Sequence, residues 1–240
     1  MKYAIVTGAS KGIGKSIALQ LESQGYYVYG TYSDDLEAAD EFNKDIKHLA
    51  LNMNLHQVNH EHKEEVLEFC EFLKKSVPKI NCIVCNVGHT LRKDLTDISD
   101  EDFECILQVS LLSHHAIIRE LFQIIPENSR IIFIGSLMAI HPHSLSIPYG
   151  VSKAAVHAYA LNLVKYFEGN GTTVNVIAPG FVETEWQKEK PEEIRQNIYN
   201  KTAVKRFATV DEISDAVLFC VNNGFVNGSI LEVSGGYSYK

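Results

Sequence analysis

The sequence predicts a single-domain α/β protein built on a doubly wound (Rossmann-type) parallel sheet of about seven strands with helices on both faces. Three observations carry this. Short β-branched runs that do not alternate in polarity recur along the chain, as strands buried on both faces must. Segments of helical period separate those runs, so the crossovers are helical and the sheet is parallel. The first strand-to-helix turn, Thr7-Gly8-Ala9-Ser10-Lys11-Gly12-Ile13-Gly14, holds three glycines. No linker, repeat or low-complexity tract interrupts residues 1–240, so one domain spans them.

In order, Tyr3–Thr7 reads as the first strand and Ile13–Gln24 as a helix that Gly25 stops. Val28–Thr31, then a helix over Asp35–Lys44, then a third strand over His48–Leu51 follow. Glu64–Lys75 is an amphipathic helix with Val66, Leu67, Cys70 and Leu73 on one face. Cys82–Cys85, Ile131–Ile134, Val174–Ile177 and Ile230–Val233 complete the strands. Ser99-x-x-Asp102 and Thr209-x-x-Glu212 open two further helices with capping signatures. Ligands of such sheets sit beyond the carboxyl ends of the strands, where the winding reverses.

Composition narrows the function. With 45% apolar and 22% charged residues the chain is an ordinary globule, not a disordered or fibrous one. Its net charge of −8, without a basic run, argues against nucleic acid and anionic membrane as partners. Five cysteines, mostly in apolar runs, read as reduced thiols, and no stretch is apolar over the ~20 residues a membrane span needs. The N-terminus runs directly into a strand, leaving no room for a signal peptide. A cytoplasmic location is the expectation.

Four motifs fall just after strands. Gly8 and Gly12 let backbone approach a pyrophosphate, Gly14 lets helix pack on strand, and the helix N-terminus offers N–H groups and partial positive charge. Tyr149 and Lys153, four apart, share one helix face, where an ammonium lowers the pKa of a phenol. Ser136, thirteen residues before Tyr149, ends a strand and points a hydroxyl into the same crevice. Asn86-Val87-Gly88 and Pro179-Gly180-Phe181-Val182-Glu183-Thr184 are the other two. Cys82-x-x-Cys85 has metal spacing but lies in an apolar strand without a second pair, so packing is the reading and no metal site is expected. His60-Glu61-His62 reads as a solvated loop. His114-His115 and His141-x-His143 read as surface or core histidines, with substrate contact as the alternative.

The whole set resembles the short-chain dehydrogenase/reductase family over the entire chain, and within it Thr7–Gly14 and Val174–Thr184 look most like beta-ketoacyl-acyl-carrier-protein reductases. The resemblance implies Ser136, Tyr149 and Lys153 as catalytic residues, with Tyr149 as general acid and Lys153 also holding a nicotinamide ribose. Ser110 stands where the family has the Asn of a catalytic tetrad, Cys85 where it has an Asn, and Ser234 where it has an Asp before a final Gly-Gly. Asn54, or Asn52 if the register slips, takes the place of its adenine-side Asp, with Leu55 beside it. Ile125 and Asn170 stand where carrier reductases place docking arginines.

The implied cofactor is NADP(H) rather than NAD(H). Tyr32 and Ser33 occupy the end of the second strand, where an acid would grip the ribose of NAD, and Lys11 supplies a nearby cation. Asp34 and Asp35 count for NAD if that strand ends later. The full cofactor set is Gly8, Ser10, Lys11, Gly12, Ile13, Gly14, Tyr32, Ser33, Asn54, Leu55, Asn86, Gly88, Tyr149, Lys153, Pro179, Gly180, Val182 and Thr184. The expected substrate is a ketone, a small molecule or acyl thioester such as a 3-oxoacyl carrier-protein conjugate. A sugar, polyol or other secondary alcohol, or a sensor that binds dinucleotide without turnover, are the alternatives. Residues 181–207, with Trp186 and Tyr199, read as a lid. The resemblance further implies a homodimer or homotetramer through the helices containing Ser113–Phe122 and Ser152–Phe167.

Overall fold

Alternation of side chains along buried strands divides the core into two layers, one on each face of the sheet. In β1 (Lys2–Val6), Ile5 enters one layer while Ala4 and Val6 enter the other. The computed structural model describes residues 1–188 and 190–239, apart from the side chains of Leu145, Trp186, Lys188 and Ser238. Seven strands pair in parallel in the order β3-β2-β1-β4-β5-β6-β7, with β2 (Tyr26–Tyr32), β3 (Met53–Gln57), β4 (Cys82–Cys85), β5 (Arg130–Ile134), β6 (Thr173–Pro179) and β7 (Ile230–Val233). Helices α1 (Gly12–Ser23), α2 (Leu36–His48) and α9 (Val210–Asn222) cover the Ala4 side through Ile17, Leu21, Phe42, Ile46, Ile213 and Val217. Helices α3 (Lys63–Ser76), α5 (Ser113–Leu121) and α6 (Ile147–Tyr166) cover the Ile5 side. The chain reverses its winding between β1 and β4, and their carboxyl ends open the crevice there.

One predicted strand is displaced. His48–Leu51 is not β3: α2 continues to His48, Ala50 turns with φ 51°, and the Leu51 amide donates to the Ile46 carbonyl. Leu51 therefore folds back as the end of a helix. The true β3 is an edge strand with one unpaired side and a polar Met-Asn-Leu-His-Gln sequence, which hides its β character. Both predicted capping boxes form, Ser99–Asp102 at α4 (Asp100–Leu107) and Thr209–Glu212 at α9. Between α4 and α5 the helix widens to one π-turn over Gln108–Leu112, a bulge that commonly marks a functional site.

The five cysteines are free, and Cys82 and Cys85 sit in opposite core layers, so they cannot share an ion. No group of three metal-ligating side chains occurs among the described residues. No helix among them is long and apolar enough to cross a membrane.

Candidate active site

The glycine turn is shaped for a ligand. Gly8 (φ +66°) ends β1 and donates its N–H to Thr31 Oγ1 at 3.1 Å. A Cβ on Gly14 would stand 2.0 Å from the Gly8 carbonyl oxygen, so α1 approaches β1 only because that position is glycine. Lys11 precedes α1 without capping it, which leaves the first-turn N–H groups free for an anion. The Lys11 ammonium instead pairs with Asp35, whose carboxylate also caps α2 by accepting the Ala38 N–H at 3.1 Å. These two contacts hold the Asp35 carboxyl below its usual range.

Two buried histidines fasten this turn to the π-turn. Thr7 Oγ1 accepts the N–H groups of Asn86 (2.8 Å) and Val87 (2.9 Å), so its single proton is left for His114 Nε2 at 3.2 Å. His114 then carries its proton on Nδ1 and donates it to the Ser110 carbonyl at 3.0 Å. Ser113 donates to the Val109 carbonyl, so it accepts from His60 Nδ1–H at 3.1 Å, and His60 Nε2 accepts from the Thr31 hydroxyl at 3.0 Å. Both imidazoles are thus fixed as neutral tautomers. Burial pushes His60 down to about 4 and His114 well below the ordinary histidine range. His60 is 3% exposed and not the solvated loop the sequence suggests. Its neighbours Glu61 and His62 are exposed, and that polar context conceals it.

Ser136 follows β5, and Tyr149 and Lys153 lie one turn apart on α6. Ser136 stands close enough to the Tyr149 hydroxyl to lower its pKa. Lys153 Nζ donates to the Ile134 carbonyl at 2.7 Å and stands 5.8 Å from the centre of the Tyr149 ring. The expected lowering of the phenol's pKa does not prevail here. Burial pushes Tyr149 up, with only Ser136 opposing it, and pushes Lys153 down to about 8. A phenol held protonated is a loaded acid, which suits reduction. Ser110, fully buried in the π-turn, has an Oγ with no hydrogen-bond partner among the described residues. A Cβ on Gly88 would lie 3.8 Å from that Oγ and 3.0 Å from Lys153 Nζ, so Ser110 and Lys153 flank Gly88.

These groups line one cleft of about 500 Å³, shared by Gly8, Lys11, Gly12, Ile13, Gly14, Asn86, Gly88, Ser136, Tyr149, Lys153, Pro179, Gly180, Val182 and Thr184. Such a volume accommodates a cofactor-sized ligand. Ser10 (buried), Tyr32 and Ser33 are not among its lining residues. Tyr32 and Ser33 lie at the carboxyl end of β2, on the β3 side of the glycine turn. Asn54 and Leu55 are misplaced by the sequence reading. They pair with Tyr29 and Gly30 in the middle of edge strand β3; Asn54 donates to the Tyr27 hydroxyl and Leu55 packs over Gly30. With β3 shifted toward the C-terminus, the first polar residue past its carboxyl end is Asn59, after Val58, and not Asn54 or Asn52.

His141, half-buried, and His143, exposed, line the cleft. Arg92 from a loop, Gln187 from the short helix α7 (Glu185–Lys188) and Tyr237 from a 3-10 turn join them, and no motif announces any of them. Beyond Pro179, Arg195 on α8 (Glu192–Asn200) grips Glu183 at 2.5 and 3.1 Å and the Tyr199 hydroxyl at 2.9 Å, tying Glu183 to α8. The predicted role of Trp186 lies outside the described side chains. Ile125 and Asn170 precede β5 and β6, at the sheet's amino end, away from this cleft.

An open helix N-terminus over a glycine turn, joined to a Ser-Tyr-Lys set at a parallel sheet's switch point, defines a dinucleotide-dependent oxidoreductase. The chain belongs to the short-chain dehydrogenase/reductase family: residues 8–238 match a family model described as enoyl-(acyl carrier protein) reductase. It is 31% identical to a 3-oxoacyl-acyl-carrier-protein reductase of Haemophilus influenzae, over 98% of this chain and 97% of that protein. It is 28% identical to a 2-dehydro-3-deoxy-D-gluconate 5-dehydrogenase of Pseudoalteromonas atlantica, over 98% and 95% of the two chains. Among solved structures, a short chain dehydrogenase from Burkholderia cenocepacia in complex with NADP superposes with a TM-score of 0.92 at 24% identity, covering 99% of this chain and 98% of that one.

Proposed function

We propose that this protein is an NADP(H)-dependent reductase that converts a ketone to a secondary alcohol, with a 3-oxoacyl thioester as the first substrate to test. The observation that carries the reading is the convergence of Tyr149, Ser136 and Lys153 with the uncapped N-terminus of α1 on one cleft. The residues fit a dinucleotide: glycine occupies the points where a side chain would collide, and the N–H groups of the α1 turn lack a side-chain cap. NADPH would supply a hydride. Gly12, Ile13 and Gly14 would hold its pyrophosphate, Lys153 its ribose, and Pro179–Thr184 one wall of the nicotinamide end. Ser136 fixes the carbonyl oxygen, and Tyr149 donates a proton as charge develops there.

Asp35 supports NADP over NAD. Its carboxylate is committed to capping α2 and to Lys11, which takes it out of ribose recognition and leaves exposed Asp34 as the acid beside Tyr32-Ser33. Lys11→Glu is therefore expected to weaken NADPH tenfold to a hundredfold more than NADH, roughly one charge-assisted contact. Fluorescence titration of both cofactors checks this, and equal weakening would remove Lys11 from phosphate recognition.

The relative that acts on a sugar acid favours a second reading, a dehydrogenase of sugar or polyol carbonyls. Initial rates of NADPH oxidation across 3-oxoacyl thioesters, keto sugars and simple ketones separate the two. Tight cofactor binding with no oxidation by any ketone would instead favour a sensor.

Ser110 bears on turnover. Its orphaned Oγ beside Lys153 leaves a polar position that a water would satisfy, and an amide would hold such a water in fixed directions. Ser110→Asn is expected to raise kcat by a few-fold to tenfold, about 1.4 kcal/mol at most, without altering cofactor affinity. Unchanged turnover under rate-limiting chemistry would exclude Ser110 from proton delivery. We also propose pairing of copies through α5 and α6, whose Val151, Leu161 and Tyr166 are exposed, which light scattering measures as a dimer or tetramer mass.

A further inference from the structure

Two adjacent residues of the glycine turn are joined to two adjacent carbonyls of the π-turn, each through one imidazole. Gly8 reaches the Val109 carbonyl by way of Thr31, His60 and Ser113. Thr7 reaches the Ser110 carbonyl by way of His114 alone. The second path is the shorter, and both of its ends meet the cleft.

One end is the cleft floor. Thr7 Oγ1 accepts the N–H groups of Asn86 and Val87, and the Asn86 amide donates back to the Thr7 and Gly8 carbonyls at 2.8 and 3.2 Å. A hydroxyl keeps two incoming N–H groups only while its own proton points elsewhere, and His114 Nε2 takes that proton at 3.2 Å. The other end is the turn where the helix widens. His114 Nδ1–H pins the Ser110 carbonyl at 3.0 Å, and the Ser110 hydroxyl stands with Lys153 around Gly88. His114 is 1% exposed and packs edge-on against Phe133, so the ring has no room to turn. It is not among the residues that line the cleft.

We propose that His114 is a positioning residue for the reduction, acting at two places through two atoms: Nε2, by way of Thr7, holds the cofactor floor at Asn86 and Val87, and Nδ1–H, by way of the Ser110 carbonyl, holds Ser110 against Lys153. It touches neither cofactor nor substrate. The proposal rests on the reading of the cleft as a reductase site and adds a residue behind its wall.

Half-mimics separate the two atoms. In His114→Asn the amide nitrogen stands about where Nδ1 does, so the donation to Ser110 survives and the acceptor for Thr7 is lost. In His114→Gln the amide oxygen stands about where Nε2 does, and the losses are reversed. His114→Phe loses both and keeps a ring against Phe133. NADPH Kd is read by fluorescence titration, and kcat at saturating NADPH and ketone is expressed per NADPH site bound. His114→Asn is expected to raise Kd about fivefold to tenfold, the scale of one hydrogen bond, with kcat nearly unchanged. His114→Gln is expected to lower kcat by a similar factor with Kd nearly unchanged, and His114→Phe to show both. In a Thr7→Val background the Kd penalty of His114→Asn should vanish, since the hydroxyl it served is gone.

A merely structural histidine would lower the melting temperature of all three variants and leave Kd and kcat per bound site alone. That result, Asn and Gln variants that behave alike, or full additivity with Thr7→Val would overturn the assignment. If the intact protein reduces no ketone, the reductase reading fails by itself, and the Kd contrast between His114→Asn and His114→Gln still decides the role of Nε2.

Discussion

Replacing Tyr149 by Phe is expected to lower kcat by about 10²–10⁴-fold, the usual contribution of general acid catalysis, while NADPH affinity changes little. The substitution removes one hydroxyl from a half-buried ring beside Lys153. The loss should appear equally in kcat and kcat/KM, because the proton is delivered only in the transition state. Stopped-flow traces with a ketone for which chemistry is rate-limiting check it. A loss well under tenfold would assign the proton to another group.

The second large effect is on stability. His60 is held neutral, with its pKa pushed from 6.5 to about 4 by burial, and His157 is pushed to about 4 in the same way. Between those values the unfolded chain takes up protons that the folded chain refuses. Stability therefore falls as pH drops from about 6.5 and levels off near 4, with His60 alone accounting for about 3 kcal/mol over that window. His114 acts in the same direction, and its protonation would break the donation from Thr7 that positions Asn86 and Val87. His62, drawn up by exposed Glu65, works in the opposite sense but is fully exposed. Urea midpoints at pH 7.5 and pH 5 test this: the expectation is a fall of about 2 kcal/mol from His60 alone, and a flat profile would contradict the neutral network.

Much of the site was legible because its parts are local in sequence. The glycine turn sits inside eight consecutive residues, and Tyr149 and Lys153 need only helical spacing to share a face. Ser136 was found from its place after an apolar strand. The adenine-side residue was missed for a physical reason: β3 is a polar edge strand, so an apolar helix end at Leu51 imitated it and drew Asn54 into the wrong place. His60 escaped because its partner Thr31 lies 29 residues away, whereas His114, read as a surface or core histidine, is a core one whose partner Thr7 lies 107 residues away. Arg92 lines the cleft from an irregular segment, where charge alone is the ordinary state of a solvated loop.

Hydride transfer itself is the most direct test. NADPH carrying deuterium at the nicotinamide C4 is mixed with the intact protein and the ketone panel, and the alcohols are weighed by mass spectrometry. The account predicts one deuterium on the carbinol carbon of at least one product, and loss of that label in Tyr149→Phe while NADPH remains bound. Tight binding of NADPH with no label in any product would contradict it and leave a dinucleotide binder without catalysis.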